Sequence, residues 1–139
     1  MIELVYQLLE QIGFTHPLHP AITHLPMGMA MGAFFFGLAS LKFEALAATA
    51  RHCAVLGAIF VPPTIIAGIF DWQHYYDGDW SALFITKFVL ACLLPILLLA
   101  AVAAGSRERD DSRLPLVLYA LCLFTAVGLG YIGGEIGYG

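Results

Sequence analysis

The chain has 139 residues, of which 60% are hydrophobic and only 12% charged, and its mean hydropathy is +0.85. A water-soluble domain of this length carries about twice that charged fraction. The formal charge of -4 comes with only six Lys and Arg residues in no basic stripe, which argues against nucleic acid as a partner.

The apolar residues fall in long blocks rather than short alternating runs, so the expected fold is all-α: an integral membrane four-helix bundle, preceded by a short N-terminal amphipathic helix and forming one domain over residues 1–139. Ile2, Val5, Leu8, Leu9 and Ile12 alternate at helical spacing with Glu3, Gln7, Glu10 and Gln11. That segment is too short and polar to span a bilayer and should lie along the membrane surface or pack over one end of the bundle. It has no basic region before its apolar residues, unlike a cleaved signal peptide. His16-Pro17 and His19-Pro20 predict a stiff loop, because a proline disfavours helix at the residue before it.

The first span is expected over about 23–41, with Thr23 as N-cap and Pro26 in the first turn. The second, over about 52–71, contains Pro62-Pro63, and the third, over about 81–104, contains Pro95, so both should kink. The fourth runs over about 114–132 and is followed by Gly133-Gly134. Each is long enough to cross a hydrocarbon core of about 30 Å. Gly28 with Gly32, and Gly130 with Gly134, have the four-residue spacing that lets membrane helices approach closely, which makes the first and fourth spans expected neighbours. Cys53, Cys92 and Cys122 sit in separate apolar blocks with no second cysteine nearby and read as small buried hydrophobes.

Lys42 and Arg51 flank the connection between spans one and two, and Arg107, Arg109 and Arg113 lie between spans three and four; the other connections carry no base. The positive-inside rule then puts these two connections in the cytoplasm and both termini outside. His16, His19, His24, Asp71, His74, Lys87 and Glu135 all collect at the outer end, leaving only His52 at the inner one. Ionisable groups in or beside a span are expensive and normally face the bundle interior.

The run His16-Pro-Leu-His-Pro-Ala-Ile-Thr-His-Leu-Pro-Met-Gly28 resembles the opening of the first span in the bacterial membrane proteins grouped as domain-of-unknown-function family 2231, with its His-Pro-x-His-Pro-x-x-x-His-x-Pro pattern. Gly68-Ile-Phe-Asp71-Trp72 is similar to that family's Gly-x-x-Asp-Trp at the end of span two. Gly133-Gly134-Glu135-Ile136-Gly137-Tyr138 is similar to its terminal Gly-Gly-x-Leu-Val-Tyr. The resemblance implies a four-span protein of the bacterial inner membrane with a polar site at the motif end. It also implies a redox setting, since relatives occur near or fused to Rieske or cytochrome modules. Many relatives carry a histidine near the start of span three, where this chain has Phe84-Ile-Thr-Lys87, so Lys87 or His74 would have to stand in for it.

Three functional expectations follow. The first is an electron-transfer protein holding b-type haem, or otherwise an iron, copper or zinc ion, at the outer face. Its ligands would be His24 first and His74 second, with His16 and His19 as further donors, while Asp71, Lys87, Glu135 and Trp72 form the surrounding polar network. The second is a non-catalytic anchor or assembly subunit docked to a redox protein, a larger membrane complex or further copies of itself. The third is a quinone or proton site, with His24, Asp71 and Glu135 exchanging protons beside a ring pocket of Trp72, Tyr75 and Tyr76. No serine–histidine arrangement suggests a nucleophilic hydrolase; whether the chain is an enzyme stays open, with a non-enzymatic role the expectation.

Overall fold

The computed structural model describes residues 1–105 and 113–138. It contains helices α1 (Ile2–Gln11), α2 (Leu18–Ala39), α3 (Leu46–Tyr75), α4 (Ala82–Gly105) and α5 (Leu114–Tyr138). The described residues contain no strand, and α2 to α5 are each long and apolar enough to cross a membrane. The chain is therefore an all-α, multi-pass membrane protein. Arg107 and Arg109, on which part of the orientation argument rests, lie outside the described residues.

The four long helices form a ring in which α2 packs on α3, α3 on α4, α4 on α5 and α5 back on α2, while α1 touches the bundle through α3. Lipid gives no hydrophobic reward for helix association, so close packing has to supply it, and small residues make it possible. The buried residues of α3 are Ala50, Ala54, Gly57, Val61, Thr64, Ala67 and Asp71, in near-alternating steps of four and three. That is the seam of a gently supercoiled helix pair. The buried residues of α2, Pro26, Ala30, Ala33 and Gly37, follow the same steps. Leu94, Leu98 and Ala101 from α4 and Tyr119, Cys122 and Ala126 from α5 complete the core.

The glycines expected at the α2–α5 contact divide among different neighbours. A Cβ on Gly130 would lie 2.8 Å from Cε of Met27 in α2, so this glycine does admit its neighbour. Gly32 faces Cys53 of α3 instead, and a Cβ on Gly28 or Gly134 would meet nothing within 4 Å. A tight approach that the pattern did not indicate lies lower in the bundle, where a Cβ on Gly37 would come 2.7 Å from the Tyr119 ring.

Helix bounds also differ from expectation. The second membrane helix begins at Leu46 and runs to Tyr75, carrying His74 on its last turn, because the Ala-rich start is strongly helix-forming. Helix α5 continues through Gly133 and Gly134 to Tyr138. In lipid the backbone has no water to bond with, so even glycine stays helical. The first span starts at Leu18, five residues before the expected Thr23, and the reason lies in the polar site.

Candidate functional site

Proline 20 was expected to hold the chain in a loop, yet it occupies the third position of α2. The first turn of a helix leaves its N–H groups without intrahelical partners, so a residue lacking an N–H is tolerated there. The two N–H groups that precede it are bonded by a side chain from another helix. Leu18 N donates to Asp71 Oδ1 at 2.9 Å and His19 N to Asp71 Oδ2 at 2.8 Å. The carboxylate also faces the positive end of the helix dipole. Thr23, inside the helix, donates its hydroxyl to the His19 carbonyl at 2.5 Å.

Asp71 ends the buried seam of α3 and is only 5% exposed. Its third bond comes from the Tyr6 hydroxyl of α1, which donates to Oδ1. Burial, reinforced by the bond to Asp71 and by its charge, pushes the Tyr6 phenol well above its ordinary range, so it remains a neutral donor. One carboxylate thereby joins α1, α2 and α3. Beside it, His74 stacks on the Tyr6 ring with centroids 3.9 Å apart, and its Nδ1 lies 2.9 Å from Glu3 Oε1.

His19 points inward. Its Nδ1 is 3.0 Å from the backbone carbonyl of Thr64, and a carbonyl can only accept, so Nδ1 carries the proton. In the neutral ring Nε2 is then an acceptor, and it has no hydrogen-bond partner among the described residues. The ring fits against α3 because residue 68 is glycine: a Cβ there would lie 2.9 Å from Nδ1 and 3.2 Å from Cε1.

His19 and Lys87 line a cavity of about 70 Å³ whose walls include Trp72, Phe84 and Phe88, with Val61, Leu94 and Leu129 deeper along their helices. That is space on the order of a few water molecules or one small ring. The Lys87 ammonium makes no hydrogen bond to a described residue. It lies beside Gly133 of α5, 3.9 Å from where a Cβ there would stand, an ordinary contact distance. Trp72 is held by a bond from Nε1 to the Asp79 carbonyl at 2.7 Å.

The other expected site residues lie elsewhere. His24 is exposed on the outside of α2, His16 is exposed near Phe14, and Glu135 is exposed on α5. His74 is committed to Glu3 and Tyr6. Of the residues expected to form a ring pocket, Trp72 does line the cavity, but Tyr75 is exposed and Tyr76 packs on Phe84. Among the described residues there is no group of three or more His, Cys, Asp or Glu side chains placed to hold a metal ion. The set does not fit a haem held between two histidines: His19 alone faces the cavity, and the space is far smaller than a porphyrin. Tyr6, Thr64, Gly68, Phe84 and Phe88 were not anticipated. Of these, Thr64 and Gly68 had a readable signal, since Thr64 shares the spacing that leads to Asp71 and Gly68 lies one turn from each.

The fold and site together define a four-span membrane bundle with a polar cap and a small ring-sized cavity at one end. The family described as predicted membrane protein, DUF2231, matches residues 15–139, and the chain belongs to it. No match was found among curated proteins or among solved structures.

Proposed function

We propose that the protein binds a lipid-soluble ring of the quinone class in the cavity between α2, α3 and α4. One observation carries this reading: an aromatic-walled cavity of single-ring size has two polar groups of complementary kind, the His19 Nε2 acceptor and the Lys87 donor. A hydroquinone hydroxyl would donate to Nε2, and Lys87 would donate to a ring oxygen. His19 would then take up or release the ring's proton, its other nitrogen held by Thr64. Small-molecule sites are typically apolar clefts with a few polar groups that fix orientation. The electron donor or acceptor would be a partner protein of the same membrane.

The same reading orients the protein. Lys42, on the connection between α2 and α3, Arg51, near the start of α3, and Arg113, just before α5, are all at the end opposite the cavity. The positive-inside rule supports placing that end in the cytoplasm of a bacterial inner membrane and the cavity in the outer half.

Titration with a short-chain benzoquinone tests the proposal. With Trp80→Phe, Trp72 becomes the sole tryptophan and reports from the cavity wall. Saturable quenching whose midpoint moves to about tenfold higher quinone in Lys87→Met supports the site. Quenching that rises linearly with quinone in the membrane, and is equal in both proteins, overturns it.

A further inference from the structure

We infer that α1 is an in-plane membrane helix whose exposed aliphatic stripe, Leu4, Leu8 and Ile12, is immersed in the lipid interface at the cavity end of the bundle. These residues recur every four positions and are 58%, 54% and 78% exposed. Leu4 and Leu8 therefore share one side of the helix, and Ile12, its C-cap, follows at the same spacing. Tyr6, which is buried against α3, lies on the other side. Glu3 and Glu10 lie away from the stripe, and Glu3 is spent on His74. The helix thus has two apolar faces with a polar edge. The protein covers only one of them.

The depth of α1 identifies what covers the other. Arg51 is exposed on α3 and its charge has to sit at a boundary of the hydrocarbon. From Arg51 to Asp71 is twenty residues of continuous helix, about 30 Å at 1.5 Å per residue. That equals the thickness of the hydrocarbon core, so Asp71 stands at the opposite boundary. Tyr6 bonds directly to Asp71 and fixes α1 at the same level. At that depth the surroundings are headgroups and the first carbons of the acyl chains, where amphipathic helices lie with the apolar side immersed. A helix of ten residues does not hold together alone in water. Lipid on one face and Tyr6 on the other supply what it lacks. The bilayer thereby holds Tyr6 against the carboxylate that caps α2. This inference stands apart from what the cavity binds.

The experiment places an environment-sensitive bimane label at Leu8→Cys in the full chain, with Cys53, Cys92 and Cys122 replaced by alanine, reconstituted in phosphatidylcholine vesicles. Glu10→Cys carries the same label as a control for the polar edge. The expected result is a blue-shifted Leu8 label that is quenched severalfold more by lipids brominated high on their acyl chains than by aqueous iodide, with the order reversed at Glu10. A Leu8 label open to iodide and untouched by brominated lipid overturns the inference. So does a label shielded from both, which would mean that another protein surface covers the stripe. Labelling Leu4→Cys repeats the measurement should the Leu8 variant fold poorly.

Discussion

His19 is bonded at both ends by α3: its backbone N–H donates to Asp71 and its ring nitrogen Nδ1 to the Thr64 carbonyl, at 2.8 and 3.0 Å. The first bond fixes where α2 begins. The second fixes which ring nitrogen is left for a ligand. Helix start and site chemistry are therefore one arrangement, and substitutions along α3 should disturb both together.

Asp71→Ala should remove the partner of two helix-terminal N–H groups and of the Tyr6 hydroxyl. Losing a helix cap costs about 1 kcal/mol, and leaving buried donors unpaired costs about 1–3 kcal/mol. A loss of roughly 3 kcal/mol is expected in detergent unfolding, with accelerated hydrogen exchange at Leu18 and His19. Asp71→Asn keeps one acceptor oxygen and should lose less.

Gly68→Ala should displace the His19 ring, because the new methyl would stand 2.9 Å from Nδ1. Overpacking of this kind typically costs about 1–3 kcal/mol. Quinone binding should weaken along with stability, whereas at Gly134, where a Cβ meets nothing, alanine should change neither. Paired thermal melts and quenching titrations of the two variants check this.

The docking of α1 should depend on pH in the alkaline range. The docked Tyr6 phenol is held above its ordinary value of about 10, so the docked state keeps a proton that the undocked chain gives up. Its contribution is complete below about pH 10 and is lost as pH rises further. Protease cleavage between α1 and α2 should increase above that pH. Tyr6→Phe should abolish the pH dependence and cleave more readily throughout.

Lys87→Met should leave the bundle at least as stable, since it replaces a half-buried ammonium that has no hydrogen-bond partner among the described residues with an apolar chain of similar length. Quinone affinity should fall about tenfold, equivalent to about 1.4 kcal/mol. His24→Ala should leave affinity unchanged, because His24 is on the outer surface of α2. Quenching titrations distinguish the two.

The contrast between His19 and His24 shows how far the sequence could be read. The four spans are legible because a lipid solvent demands long apolar blocks, and Asp71, at the end of one block, is visible as a costly residue. The direction in which each histidine points is not. Five residues of helix turn the two side chains about 140° apart, and a short motif does not say which one faces inward. The start of α2 was hidden for a different reason. Local rules put His19-Pro20 in a loop, whereas the cap that makes it helical comes from Asp71, 52 residues along the chain. Sequence-local propensity carries no trace of a partner that distant. The spacing of α1 allows it to rest on the membrane or on the bundle, and Tyr6 shows that it rests on the bundle.

The seam of α3 runs from Ala50, Ala54 and Gly57 at one end, through Val61, Thr64 and Ala67, to Asp71 at the other. Only small residues line the half of the seam away from the cavity, whereas the cavity half carries Thr64 and Asp71 and stands beside Lys87 and the aromatic rings. A ring entering the proposed site would need to part only the cavity half of the bundle. Its exchange would then stay within one leaflet, with the small-residue half of the bundle closing off the other.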